Sequence, residues 1–319
     1  MLNHIRVLDL TSDLGAFAGR MLAELGAEVL KPGPQGDPVW NAGKTAITIK
    51  NDADLRELAS GVDIVLHEDD LPFVPPKHLI AVRIETLPDR PATDLTLMAR
   101  SGLITIGGDP DRPPLKLPGE QAYALAGIQA AIAALTALHA RGDSGRGQSV
   151  SVSAYRSAVL ANYRDPIIWA WTGRVGARTG NLLVRGKSGV RQVWRCRDGF
   201  VTWSIIDNPG MMRGMVKLLA EENAAGPLAE IDWDRTLVAD MPRETLEQWE
   251  AVVADFLARH DKGWLNKRSA ELGLGLSGID QPEDVLASAQ NQARGLWREL
   301  PDGTRIPGPL FHCSEGDQP

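Results

Sequence analysis

Apolar and polar positions along this chain change their period several times, and each change marks an element. Residues 5–10 form a short, mainly apolar run that contains Asp9 and gives way to Thr11, as in a strand buried on both faces. Residues 17–25 switch to helical spacing before Gly26, and residues 27–31 return to an apolar run. This strand, helix, strand order predicts a parallel pair with a right-handed crossover and a ligand edge at the strand carboxyl ends. Further strands are expected at 45–49, 63–66 and 79–84, with helices at 54–59 and 94–101 ending at Gly102.

The densest signal is the stretch 117–152. Pro118 and Gly119 punctuate the entry to a long helix expected over 120–141, stopped by Gly142 and Asp143. Ala126, Gly127, Ala130, Ala131, Ala133, Ala134 and Ala137 give it a thin surface that another backbone can approach closely, which suits a packed core or a subunit interface. Gly145, Arg146, Gly147 and Gln148 form a turn cluster, and Val150 and Val152 then alternate with Ser149, Ser151 and Ser153 as in a half-buried strand.

One helix is expected over 154–171, then a glycine and arginine loop over 174–187 carrying Arg174, Arg178 and Arg185. A hairpin over 190–206, turning at Arg197, Asp198 and Gly199, opens a second region. Helices follow at 210–222, 243–259, 262–272, 282–286 and 288–295, with Trp249 and Trp264 as core anchors, before a closing strand and tail. The pattern is that of an α/β protein. Its opening strands and helices suit a Rossmann-like parallel sheet; the resemblance described below implies that this large domain (1–187 with 281–319) carries a smaller α+β domain (188–280).

Composition narrows the functions. With 319 residues, 43% hydrophobic and 24% charged, the chain is long enough for two domains. A net charge of −7 and a pI near 5.5 argue against a nucleic-acid surface, which wants a concentrated basic face. No apolar run is expected to span a membrane, and the opening residues lead into a strand rather than a signal peptide, so the expected location is cytoplasmic. Cys196 and Cys313 make no disulfide framework and are expected to pack as small apolar groups. The six histidines lack metalloprotease spacing, and no metal is expected. The loop from Ser12 to Ala16 lies at the predicted ligand edge before a helix whose free amides suit a phosphate. Only Gly15 and Gly19 are available there, so this is not a dinucleotide fingerprint.

Several of these stretches resemble the class III CoA-transferases, a family that includes formyl-CoA and carnitine CoA-transferases and the alpha-methylacyl-CoA racemases. Gly127 to Ala131 match a G-x-x-A-A helix segment, and Gly145 to Ser153 match the T-G-x-G-Q and V-x-V-S that follow it. The opening stretch from Val7 to Lys31, the run from Asp94 to Pro114, the hairpin around Trp194 and the ending from Ala293 are similar as well. The resemblance spans nearly the whole chain, with deletions between Pro34 and Gly43 and after Leu66. It implies a Rossmann-like fold closed into an interlaced ring, with coenzyme A or acyl-CoA as substrate.

What the resemblance implies for the site is specific. The nucleophilic aspartate of the transferases falls at Tyr123, and a racemase histidine falls at Thr93. A phenol with a pKa near 10 is a poor replacement for a carboxylate nucleophile near neutral pH. Glu120, one helical turn upstream, is the nearest carboxylate, a candidate nucleophile or a first-turn acid favoured by the helix dipole. The loop containing Asp13 and Leu14 is where relatives touch CoA, and Arg174, Arg178 and Arg185 are candidates for a CoA phosphate. Relatives carry an arginine after the fourth strand, whereas residues 67–71 offer Glu68, Asp69 and Asp70, read as a solvated acidic loop.

Two functions remain: a non-catalytic or structural subunit of a heteromeric CoA-transferase, or an active acyl-CoA transferase or racemase with an altered site. The expected assembly is a homodimer, or a heterodimer with an aspartate-bearing relative, in which a partner covers the alanine face.

Overall fold

The computed structural model describes residues 1–33, 36–87, 91–184 and 187–312, and it divides into two compact units. Arg185 and Cys313 lie outside the described residues. The first unit comprises residues 1–107, 114–177 and 289 onward. Its six strands are β1 (Arg6–Asp9), β2 (Glu28–Pro32), β3 (Thr45–Ile47), β4 (Ile64–His67), β5 (Ile80–Glu85) and β6 (Ser149–Ser153). They form one sheet in the order β3-β2-β1-β4-β5-β6, and every adjacent pair is parallel. The chain builds outward from β1 to β3, then returns to the other side of β1 with β4. The topological switch point is therefore between β1 and β4, where an open α/β sheet leaves a crevice at its strand carboxyl ends.

Helices α1 (Ala16–Glu24), α2 (Asp52–Ser60), α3 (Asp94–Arg100) and α4 (Gln121–Ser144) connect these strands. Asn51 caps α2 by accepting the amides of Ala53 at 2.9 Å and Asp54 at 3.0 Å. α4 is the central helix and packs against α1, α3 and β5. At 24 residues it is long and apolar enough, by length and composition alone, to cross a membrane, contrary to the expectation that no run would reach that length. Here it lies within an α/β layer. Gly142 and Asp143 remain helical, and the helix stops at Gly145, whose φ of +66° supplies the left-handed closing residue that Gly142 was expected to provide.

The alanine face corrects a second expectation. Ala126, Ala130, Ala134 and Ala137 are buried inside this chain, as is Ala131, and Ala133 is half-buried, so most of the face is covered without a partner. Gly127 shows how close the layers come: a Cβ there would sit 2.8 Å from the Cβ of Phe17 and 3.1 Å from the Ala18 amide nitrogen. Thin residues on α4 are used to seat α1. The helix expected over 154–171 is two helices, α5 (Ala154–Ala161) and α6 (Arg164–Thr172), broken at Asn162 and Tyr163. Pro166 accounts for the break, since it has no amide for the Asn162 carbonyl and its ring crowds that carbonyl.

The second unit comprises residues 108–113 and 178–288. It contains the hairpins β7 (Leu182–Val184) with β8 (Gly189–Arg191) and β9 (Val193–Cys196) with β10 (Gly199–Thr202). α7 (Pro209–Ala220), α8 (Arg243–Leu257) and α9 (Lys262–Leu272) follow, then β11 (Ser277–Gly278), which extends the β9–β10 sheet, and α10 (Pro282–Ala287). Its core includes Trp194, Trp203, Trp233 and Trp249, with Trp264 partly buried against it. The Trp194 indole donates to the Trp203 carbonyl at 2.6 Å, which lets the ring be buried without losing its hydrogen bond. Cys196 is buried and unbonded to another cysteine.

The chain then returns to the first unit as α11 (Ala289–Ala293) and the antiparallel pair β12 (Trp297–Glu299) and β13 (Arg305–Pro307). Arg20 and Glu24 of α1, paired at 2.9 Å and almost wholly buried, hold this tail. The Arg20 guanidinium donates to the Pro307 carbonyl, and the Leu310 amide donates to Glu24 at 2.7 Å.

Candidate functional site at the sheet switch point

The crevice between β1 and β4 is built from two loops. After β1, the chain turns through Thr11 to Gly15 into α1; after β4, it runs through Glu68, Asp69 and Asp70. Glu68 joins them: its carboxylate accepts the Ser12 amide at 2.8 Å and the Ser12 hydroxyl at 2.7 Å. Burial pushes the Glu68 carboxyl above its ordinary value, while the Ser12 donors and Lys31 oppose that shift. Asp69 and Asp70 are exposed, as a solvated loop would be, but Glu68 is only partly exposed and is bonded across the crevice. No local pattern signals this contact, because the partners are 56 positions apart.

Behind the β1 loop is a buried ionic network that local sequence patterns left unassigned. Asp9 accepts from Lys44 at 2.7 Å and from Lys31 at 3.3 Å, and all three side chains are buried. Lys44 also donates to the Ala16 carbonyl at 2.7 Å and to Asn41 at 2.9 Å, while Lys31 donates to the Thr11 carbonyl. Desolvation lowers the Lys44 pKa, with Asp9 opposing. The available clue was Asp9 itself, a charged residue in an apolar strand, which calls for buried partners.

Tyr123 lies in the first turn of α4. Its backbone amide and that of Ala122 donate to the Asp94 carboxylate at 3.1 and 2.8 Å, so a side chain from α3 caps α4. Glu120, at the position that normally supplies such a cap, makes no capping bond. The other Asp94 oxygen accepts no hydrogen bond and lies 3.6 Å from the Lys116 ammonium. The Tyr123 hydroxyl donates to the Ala92 carbonyl at 3.3 Å. Burial, then the charges of Glu120 and Asp94, push this phenol above its ordinary 10.0. Burial and the neighbouring Asp13 and Asp94 likewise raise the Glu120 carboxyl. Tyr123, Glu120 and Asp94 thus share one acidic neighbourhood, and Asp13 belongs to it.

Most of the other candidate residues have structural partners. Leu14 is buried in the main core and also lines a cleft of about 260 Å³ with Glu68, Arg83 and Leu87. Asp13 is exposed. Thr93 caps α3 by accepting the Thr96 amide at 3.3 Å. Arg178 donates to the Asp109 carbonyl at 3.1 Å and the Pro110 carbonyl at 3.4 Å within the second unit. Arg83, which the sequence did not single out, reaches from β5 to Asp70 at 2.8 Å and so brings a cation to the acidic loop. Among the described residues no group of three or more His, Cys, Asp or Glu is arranged to hold a metal ion.

The CoA-transferase family III description matches residues 77–318, well over half of the chain. The chain belongs to CoA-transferase family III. Among its relatives, the Thauera aromatica succinyl-CoA:(R)-benzylsuccinate CoA-transferase subunit BbsE is 24% identical over 93% of this chain and 83% of its own length. The Chloroflexus aurantiacus succinyl-CoA–D-citramalate CoA-transferase is 33% identical over 57% of this chain and 56% of its own. The probable CoA-transferase Rv1866 of Mycobacterium tuberculosis is 28% identical over 95% of this chain, which spans 43% of that longer protein.

The crystal structure of a CAIB/BAIF family protein from Brucella suis matches with a TM-score of 0.82 at 21% identity, covering 98% of this chain and 92% of that one. This likeness establishes the family III fold. The turn after α4 then has a structural reading: a Cβ at Gly147 would lie 2.1 Å from the Leu79 carbonyl oxygen, so the glycine lets the turn press against the start of β5.

Proposed function

We propose that this family III chain is a non-catalytic subunit of a heteromeric CoA-transferase, lacking the nucleophilic aspartate and paired with a relative that carries it. The observation that carries the reading is Tyr123. At the position where the family resemblance puts the nucleophile stands a phenol that donates a hydrogen bond to the Ala92 carbonyl and has a raised pKa. A thioester needs an anionic or base-activated nucleophile, and the groups acting on this phenol all disfavour its anion except one backbone hydrogen bond. Thr93, at the racemase histidine position, is engaged in capping, so the two-base proton transfer of a racemase lacks both of its usual groups.

A subunit role also suits the surface of the first unit. Ile132, Leu160, Ile167, Trp169 and Trp171 are all at least half exposed, and α6 buries none of its residues. Apolar side chains in such number fit contact with another chain better than contact with water. One relative is itself named as a subunit of a CoA-transferase. The assembly in this reading is a dimer, interlaced as the family resemblance implies, and acyl-CoA is the substrate of the whole. The alternative, an active enzyme with an altered site, would rest on Glu120, whose raised pKa and closeness to Tyr123 make it the carboxylate best placed to act.

Co-expression tests the proposal. Adding an aspartate-bearing family III relative should give a stable complex whose transferase activity survives Tyr123→Phe here and is lost when the relative's aspartate is replaced. Activity that disappears with Tyr123→Phe or Glu120→Gln would reject it.

A further inference from the structure

Helix α6 is nine residues long and buries none of them; Trp169 is 61% exposed and Trp171 87%. An isolated helix shorter than about 12–15 residues is marginal in water, so a short one with no buried side chain gains from cover that its own chain does not supply. What fits over it is set by the cleft alongside, about 300 Å³, whose apolar walls are Ile106, Pro166, Trp169 and Val175. Among the described residues, Asp165 is the charged group in that lining. Its carboxylate is closely placed: a Cβ at Gly176 would lie 2.4 Å from Asp165 Oδ2, so the bare glycine lets the segment after α6 lie against the acid. Among the described residues no hydrogen bond or ion pair engages this carboxylate. Its place in the first turn of α6 suits the helix dipole, but the dipole gives no reason for a tryptophan wall beside it. An aromatic face next to an unmatched carboxylate is the chemistry that takes a guanidinium, which stacks on the ring while donating to the acid.

We propose that this cleft receives an arginine guanidinium from a second copy of this chain, stacked on Trp169 and paired with Asp165. The same surface carries the groups placed to supply it. Arg164 opens α6 and Arg174 follows its end; both are exposed, and among the described residues neither guanidinium meets a carboxylate. A face that bears its own unmatched acid and its own unmatched guanidinium groups is complementary to itself about a two-fold axis, so one contact is made twice. Tryptophan and arginine are also the side chains that carry much of the energy of such contacts. The inference rests on the reading that this face of the first unit meets another chain, and it goes beyond that reading by naming the occupant and the pair that holds it.

Sedimentation velocity of the purified full-length chain over a range of micromolar concentrations tests this. Wild type should self-associate. Asp165→Asn keeps the shape beside Gly176 while removing the charge, and it should raise the dissociation constant at least about tenfold, about 1.4 kcal/mol. Asp165→Arg, and separately the double variant Arg164→Glu with Arg174→Glu, should each lose association alone, because each sets like charges against one another across the axis. Mixed together, the two should associate again, since every acid then faces a guanidinium. A variant that merely misfolds is not repaired by mixing, so the exchange separates a lost contact from a lost fold. A dissociation constant unchanged in Asp165→Asn, or a mixture that stays monomeric, overturns the inference while contact through the apolar face stands. A wild type that stays monomeric overturns it too, and pairing with a catalytic relative is then decided by the co-expression experiment alone.

Discussion

The Asp94 carboxylate accepts the backbone amide of Tyr123 at 3.1 Å, tying the start of α3 to the start of α4 at the position where family resemblance sets a nucleophile. Because the same oxygen also accepts the Ala122 amide, Asp94 does for α4 what its own preceding residues do not. Replacing Asp94 by Ala should destabilise the first unit by about 1–2 kcal/mol, the range of a lost helix cap. Urea unfolding should show a lower midpoint with an unchanged slope, and an unaltered midpoint would remove Asp94 from this role.

Gly147 gives a sharper steric prediction. The Leu79 carbonyl is backbone and has no flexible end to move aside, so Gly147→Ala must shift the turn after α4 or the start of β5. A cost of about 1–3 kcal/mol is expected. Thermal melts should report it, with Gly142→Ala as an unstrained comparison: nothing lies within 4 Å of a Cβ there, and alanine in place of a helical glycine should raise rather than lower stability.

Glu68 and Glu120 should leave a signature in the pH dependence of stability. Both carboxyls are raised above their ordinary 4.5 in the folded chain. Between that value and the raised one, the folded state holds protons that the unfolded state has released, so stability falls as pH rises through the window. The double variant Glu68→Gln, Glu120→Gln should flatten that slope. Denaturant midpoints across the mildly acidic range measure it, and a slope unchanged by the double substitution would contradict the assignment.

The exposed apolar side chains predict self-association or partner binding. Ile132→Glu together with Leu160→Glu should lower the mass measured by light scattering at micromolar concentration, or abolish capture by a catalytic relative. The unfolding free energy of the isolated chain should change by less than about 1 kcal/mol, because both side chains are at least half exposed. A wild-type chain that stays monomeric and captures no relative would defeat the dimeric reading.

Much of the parallel sheet was legible because apolar runs and helical spacing are local signals; the α4 to β6 transition was legible for the same reason. What local pattern could not supply were contacts closed in space. Gly142 and Gly145 are both plausible stops for α4, and only the backbone geometry chose the second. Pro166 carried the break between α5 and α6, but the apolar spacing around it favoured a continuous helix. The alanine face read equally well as core or interface, and the packing of Phe17 and Ala18 against Gly127 resolved it as core. At the candidate site, Tyr123 and Glu120 were found from motif spacing. The Glu68–Ser12 contact and the Asp9, Lys31 and Lys44 cluster join loops and strands far apart in sequence, and no period records them.

The central claim, that this chain does not itself carry out CoA transfer, is tested most directly by assaying the purified chain alone with an acyl-CoA and a panel of carboxylic acids. Mass spectrometry of the protein would follow any covalent acyl or CoA adduct. The expected result is no turnover and no adduct, for wild type and Glu120→Gln alike. Ready transfer that survives Tyr123→Phe and is abolished by Glu120→Gln, with an adduct on Glu120, would contradict the account and make Glu120 the nucleophile.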